Sequence, residues 1–398
     1  MKHQQKSWLL LPLLLATSVT VAAPVYAPYV DMTLWPTPKI DQIGINQGIS
    51  QFTLAFIVTG SKGCVPSWGG VQDVVAGGSS ELLTVIAASI SKFRAHNGEI
   101  AISFGGANGI PLAQSCATAN ALVDAYQNVI DRYALSHIDF DIEGSVQQDS
   151  AAIERNFIAA KRLQKNATAL GRRLYVSLTL PTMETGLTQD GLDVVSSALE
   201  HGVVIDTVNV MAMDYGHALA DMGAAAIQAG KAVHGQLAGL YQALGRPKTS
   251  RQLWRMLGIT PMIGVNDTVG ETFTLANARA VSAFARSSAV GLLSIWSVAR
   301  DQACTGGPSP WASSDCSGIN QGKGAFATIL KNKTANWGAG VAADPDYGTG
   351  SGGTSEWEPT QIYVAGDTVS YNGAEYKAKW WTQGDVPGVA DVWALMPS

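Results

Sequence analysis

The chain has 398 residues, with 26 Lys+Arg against 31 Asp+Glu and a formal net charge of -5. It lacks the excess positive charge that a phosphate-binding surface needs, which argues against a nucleic-acid partner. Only 14% of the residues are charged and 46% are apolar, far from the composition of a disordered chain; the length suits two or three average domains, or one large α/β barrel with a small companion.

Lys2 and Lys6 precede an apolar run over 8–16, and small residues follow to Ala22 and Ala23, the pattern of a secretory signal peptide. Cleavage after Ala22 is expected, since cleavage after Ala23 would leave Pro24 at the first mature position. The run is shorter than the ~20 residues of a membrane span. The mature protein is therefore expected to be exported, extracellular and without a membrane partner.

Beyond this segment, short β-branched or aromatic runs alternate with longer helical patterns. Strands are expected near 27–34, 51–59, 100–104, 137–143, 174–180, 207–213, 257–263 and 292–296. Helices are expected over 80–96, 119–133, 151–170, 194–201, 218–244 and 275–285. Eight strands separated by crossovers imply parallel pairing, and eight closes a (β/α)8 TIM barrel. An open doubly wound sheet is the competing fold, but no glycine-rich phosphate loop follows the first strand. Cys64 and Cys116 fall in loops after two successive strands, and Cys304 and Cys316 bracket a loop of eleven residues. Pairing 64 with 116 and 304 with 316 is the most economical of three connectivities for an exported chain. A zinc site is the rival reading, but there is no Cys-x-x-Cys and the six His are scattered. Neither metal nor cofactor is expected.

Residues 347–355 have the composition of a Gly/Ser linker. The 44 residues that follow, 355–398, hold Trp357, Tyr363, Tyr371, Tyr376, Trp380, Trp381 and Trp393. So small a unit cannot bury seven large rings, so some must face outward. Asn372 and Gly373, between two alternating runs, signal a tight hairpin.

The chemistry is carried by the run His137, Ile138, Asp139, Phe140, Asp141, Ile142, Glu143. Strand alternation puts the apolar residues on one face and Asp139, Asp141 and Glu143 on the other. In a barrel the apolar set packs against the helices, so the acids point inward, spaced ~6.5–7 Å along the strand. Three ionised acids so close in a desolvated interior are unfavourable, and Glu143, last in line at the carboxyl rim, is expected to hold a proton with a raised pKa. A protonated acid beside an ionised one suits glycosidic cleavage. A divalent-metal site and an exposed acidic edge strand are the alternatives; the smooth strand pattern and its regular Ile and Phe argue against both.

This run resembles the Asp-x-x-Asp-x-Asp-x-Glu signature of the family 18 glycoside hydrolases, the chitinases and their relatives. Ser103, Phe104, Gly105 and Gly106 match the family's Ser-x-Gly-Gly on the preceding strand. The signature's leading Asp-Gly is replaced by Ser136 and His137. The resemblance implies substrate-assisted hydrolysis with retention. Glu143 would protonate the glycosidic oxygen, and the substrate's own 2-acetamido carbonyl would attack the anomeric carbon to form an oxazolinium ion. Asp141 would orient the acetamido N–H, and Asp139 would share a proton beneath. Met211, Ala212, Met213, Asp214 and Tyr215 are similar to the family's Met-x-Tyr-Asp; Asp214 carries over, whereas Met213 stands where the family has Tyr, which leaves Tyr215 as a candidate hydroxyl. Trp296, at the end of the eighth strand, matches the family's hydrophobic floor beneath the reacting sugar. Asp31, Trp35, Trp68, Asn108 and Glu184 are weaker groove candidates. Inward-facing His137 reads as a satisfied core residue. Asn166, Asn266 and Asn332 each begin an Asn-x-Thr triplet.

The C-terminal unit resembles the carbohydrate-binding modules of families 5 and 12, which implies that Trp380, Trp381 and Tyr376 stack on sugar rings. The expected layout is a signal peptide over 1–22, a catalytic barrel over 23–335, a linker over 336–354 and the module over 355–398. The resemblances together imply a chitinase acting on chitin and chitooligosaccharides; with the N-terminal segment the expectation is a secreted monomer, and the mostly helical reading between the sixth and seventh strands, without an inserted lid, favours endo cleavage. The alternatives are an endo-β-N-acetylglucosaminidase or a non-catalytic chitin-binding lectin on the same barrel.

Overall fold

The computed structural model describes residues 23–75, 78–331, 337, 355–359, 362–363, 368–380 and 382–396. The expected signal peptide over 1–22, most of the expected linker, Asn332 and Trp381 lie outside them. Six strands, Gln51–Gly60, Glu99–Gly105, His137–Asp141, Tyr175–Met183, Thr207–Ala212 and Leu257–Pro261, form the second to seventh staves of a barrel, with Leu292–Leu293 the eighth. Neighbouring staves pair in parallel. The first stave is split: Val25–Tyr26 pairs with the eighth and Tyr29–Asp31 with the second. This closes the eight staves on themselves into a barrel.

The helices between staves begin where the sequence supplies a cap. Ser80, Thr118, Asp149, Thr188, Thr249 and Thr274 each accept a bond from a first-turn N–H with the side chain, satisfying a donor that the helix cannot. Helix Ala119–Tyr133 buries Leu122, Tyr126, Val129, Ile130 and Tyr133, a stripe at helical spacing that packs on the barrel. No helix among the described residues is long and apolar enough to cross a membrane.

Several details differ from the pattern in the sequence. Cys64 lies in a strand, Gly63–Trp68, which folds back antiparallel on the second stave; its Gly and Pro hide the alternation. The disulfides join Cys64 to Cys116 and Cys304 to Cys316. Trp68, a groove candidate, is buried instead: its indole N–H donates to the Tyr133 hydroxyl at 2.9 Å and its ring meets that phenol edge-on. A short hairpin, Gly264–Val265 with Thr272–Phe273, follows the seventh stave. Trp337, expected in the linker, stacks on His137 at 4.5 Å, and His137 stacks on Tyr175 at 4.4 Å.

In the C-terminal unit, Ser355–Glu356, Thr368–Tyr371, Ala374–Ala378 and Trp393–Leu395 make one sheet, and Ile362–Tyr363 pairs with Thr382–Gln383. Asn372 and Gly373 form the hairpin turn with φ of 51° and 78°, the left-handed pair that a two-residue turn requires. Tyr363, Val369, Ala378, Val392 and Trp393 form its core, against which Trp357 and Tyr376 are partly packed. Trp380 is 53% exposed.

Candidate active site

The fourth stave divides its side chains between two environments. Ile138 and Phe140 are buried in the core, where Phe140 packs on Phe104 and Tyr126. Asp139 and Asp141 are also buried, at 2% and 5% exposure, and take the opposite face by alternation. Strand pairing stops at Asp141, two residues before the expected end. There Gly106 N–H caps the Asp141 carbonyl at 3.0 Å, while Ile142 N–H reaches the fifth stave at Thr179 O. Glu143 nevertheless keeps an extended backbone (φ -136°, ψ 165°) before the turn at Gly144–Gln148. Its half-buried side chain therefore stays in line with the two aspartates. The third stave's glycines permit this closure: a Cβ on Gly105 (φ 113°) would lie 2.0 Å from the Asp141 carbonyl oxygen.

Asp139 is held by four hydroxyls. Tyr29 and Ser103 donate to Oδ2 at 2.8 and 2.7 Å, and Ser177 and Thr179 donate to Oδ1. Ser103 and Ser177 sit in register on either side of it. Behind Thr179, Thr260 donates to Asn209 Oδ1 at 2.8 Å and Asn209 Nδ2 donates to Thr179 Oγ1 at 3.1 Å. A row of polar side chains thus crosses four staves and terminates on one carboxylate. Burial raises the pKa of Asp139, while Ser177, Ser103, Tyr29 and Thr179 pull it back.

Asp141 lacks such support. Burial first, then the charges of Glu143 and Asp139, push its pKa well above the ordinary carboxylate range, and its Oδ1 has no hydrogen-bond partner. Glu143 is also raised, by burial and by Asp214, while a bond with Asp141 pulls it down. One proton is therefore shared at the top of the row, between Asp141 and Glu143, and it titrates as a property of the pair.

The neighbouring rim completes the site. Asp214 follows the sixth stave with a left-handed backbone, φ 49°, and its Oδ1 accepts the Thr268 N–H at 2.9 Å. Burial raises its pKa. Half-buried Trp296 lies beyond the eighth stave, stacked on Phe56 at 5.5 Å and edge-on to Tyr29 at 6.1 Å. A family model for the glycosyl hydrolases of family 18 matches residues 36–301.

The chain belongs to glycosyl hydrolase family 18. A second family model, carbohydrate-binding module family 5/12, matches residues 356–394. The chain is 38% identical over 290 residues to a probable bifunctional chitinase/lysozyme of Escherichia coli, which covers 70% of this chain and 31% of the relative. It is 37% identical over 288 residues to Endochitinase 11 of Metarhizium anisopliae, covering 70% of this chain and 52% of the relative. The match thus spans a third to a half of the length of these curated relatives. Among solved structures, the catalytic domain of a hyperthermophilic chitinase from Pyrococcus furiosus superposes with a TM-score of 0.68 at 31% identity, covering 78% of this chain and 95% of that one.

In this family 18 barrel the sixth-stave departure has a clear geometry. Met213 is half-buried, whereas Tyr215 is buried with a hydroxyl that lacks a hydrogen-bond partner. The Tyr215 pKa is raised by burial and then by the charges of Glu184 and Glu271. Glu184 itself pairs with His217 at 3.1 Å. Asn108 and Trp35 are exposed, and Asp31 accepts bonds from Thr33. His137 is buried within its ring stack, and burial followed by the Arg173 charge lowers its pKa to about 3, which makes it a neutral core residue. Asn266 is buried, with Nδ2 donating to Met262 O and Gly264 O, so its sequon is structural in effect. No group of three or more His, Cys, Asp or Glu able to hold a metal ion occurs among the described residues.

The carboxylate's partners Tyr29, Ser177 and Thr179, and Asn209 behind Thr179, were not singled out from sequence. Alternation does place polar Ser177 and Thr179 on one face of an otherwise apolar strand, and that was the available signal.

Proposed function

We propose that this protein is an exported chitinase that hydrolyses β-1,4-linked N-acetylglucosamine polymers with retention. The observation that carries the reading is the buried row Asp139, Asp141, Glu143 with a shared proton at its rim end. Glu143 delivers that proton to the glycosidic oxygen as the bond breaks. Asp139 is engaged by four hydroxyls and Asp141 by Glu143, so neither is free to attack the anomeric carbon. The substrate's 2-acetamido oxygen is then the nucleophile, an alternative to the usual pair of carboxylates. Asp141 turns to the acetamido N–H and stabilises the oxazolinium charge, with Asp214 holding the group from the side. Water opens the ring, and Glu143 recovers the proton as base. Trp296 supplies the apolar floor.

The 5/12-type module and exposed Trp380 favour a solid polysaccharide as the working substrate, with the tether raising local enzyme concentration at its surface. The basic and apolar segment over 1–22 supports export, and a monomer acting within the chain is the simplest assembly. The decisive comparison is Glu143→Gln. Turnover of soluble chitooligosaccharides should fall by about 10²–10⁴-fold while binding to solid chitin is retained; equal turnover in variant and parent would remove the acid assignment. Trp380→Ala should weaken attachment to solid chitin and spare hydrolysis of soluble oligomers.

A further inference from the structure

Beneath Asp139 the barrel is hollow. A cavity of about 340 Å³ extends from the Asp139 side chain to the amino-terminal rim at Asp206, Arg255 and Trp337. The interior of such a barrel is ordinarily filled by layers of bulky branched side chains. Here the staves supply small groups instead: Thr53 stands in register with Ala101, and Ser177 with Thr207. All four line the cavity, together with Tyr29 and Asn209. Ser177 and Thr207 are only half-buried although both belong to the barrel sheet.

That lining decides what the cavity can hold. Four hydroxyls and an amide surround a space far larger than the ~10–15 Å³ that one water needs, and a roomy polar cavity takes up water where an apolar one stays dry. The carboxylate at its upper end gains from this. Asp139 accepts four hydrogen bonds, all from neutral hydroxyls, yet desolvation still favours the neutral form of a buried acid. Two of those donors, Tyr29 and Ser177, also line the cavity. A hydroxyl that donates to Asp139 keeps lone pairs free to accept from water, which polarises the bond it makes.

The ionisable groups around Asp139 leave that task to neutral dipoles. Asp141 stands above it on the same stave and Tyr29 beside it on the first. Around the cavity are His137, kept neutral by burial, and Tyr175, with Arg255 and the Asp206–Arg173 pair at the rim. We propose that the cavity is a water chamber that keeps Asp139 ionised from below, so that the proton of the row stays at the Asp141–Glu143 end, where it is used. This inference rests on the acid row assigned under the proposed function.

Filling the chamber tests it. Ala101 lies on the same face of the third stave as Ser103, so Ala101→Leu puts apolar carbon into the cavity without removing any of the four bonds to Asp139. Ala101→Ser changes the same position and leaves the lining polar. With a soluble chitooligosaccharide as substrate, Ala101→Leu should move the acid limb of the kcat/KM profile to higher pH by about one unit, and Ala101→Ser should leave it in place. Thr207→Val keeps the volume and deletes one lining hydroxyl; it should shift the limb in the same direction, and it decides the question if Ala101→Leu does not fold. A crystal structure of the parent should show ordered water bonded to Ser177 or Tyr29 inside the cavity. A dry cavity, an unmoved limb, or equal shifts in Ala101→Leu and Ala101→Ser overturn the chamber and leave the functional reading standing. A parent that does not hydrolyse the oligomer overturns that reading and this inference with it.

Discussion

Asp141→Asn should stabilise the protein at neutral pH while abolishing its activity. Asp141 is 5% exposed, and its pKa is raised by burial and by the charges of Glu143 and Asp139. The unfolded chain ionises it near its ordinary value of 3.8, whereas the native state keeps it protonated to higher pH. Its contribution to stability is thus complete below about pH 3.8 and is lost as pH rises toward the raised native value. The loss accrues at about 1.4 kcal/mol per pH unit, to at most ~4 kcal/mol at pH 7. Asparagine carries no ionisable proton, and its amide can still donate to Glu143. The variant should therefore melt higher than the parent at pH 7, by about 1.5 °C per kcal/mol recovered for a domain of this size. At pH 3, where Asp141 is largely neutral in both states, the two melting points should converge. Calorimetric melts at both pH values, with hydrolysis of a soluble oligomer alongside, test this. A gain of equal size at both pH values, or none at pH 7, would refute the claim that a proton is held in the acid row against the unfolded state's preference.

Removing one hydroxyl from Asp139 by Tyr29→Phe deletes a bond to a charged group worth about 1.5–3 kcal/mol. With less support for the charged form, the acid limb of the kcat/KM profile should move to higher pH; an unmoved limb contradicts the role of the hydroxyls. His137 has the opposite linkage to Asp141. Its native pKa of about 3 lies below the ordinary 6.5, so the stability tied to it is present above pH 6.5 and drains away as pH falls toward 3. His137→Phe, which keeps a ring in the stack, should lose less melting temperature than the parent between pH 7 and 4, and parallel losses would argue against a neutral buried imidazole. The Cys64–Cys116 bond closes a separation of 52 residues and Cys304–Cys316 one of 12, so chain entropy predicts about 4 and about 3 kcal/mol lost on replacing each pair with serine. Chemical denaturation of the two variants measures that order.

Local chemistry was legible without coordinates wherever a short-range rule governs it. Alternation in the run from His137 to Glu143 separates acids from packing residues because a strand's side chains have period two. The capping Ser, Thr and Asp residues mark helix starts because unpaired N–H groups need a local acceptor. Asn372 with Gly373 specifies its turn because few residues tolerate positive φ in succession. The order of eight strands and crossovers implies a barrel because parallel strands need such connections.

The position of the proton was not legible, because burial and charge at a site are sums over residues distant in sequence. Glu143 was expected to hold it from its place at the end of the row, and burial does raise Glu143; the sequence did not show that the proton is shared with Asp141, which Tyr29, Ser103, Ser177 and Thr179 leave unsupported by converging on Asp139. Trp68 looked like a groove residue by rim position alone, and packing turned it inward. The chain's own order thus determines which groups each stave presents and on which face. Only closure of the barrel decides which of them meet, and therefore which carboxylates keep their charge in a desolvated interior.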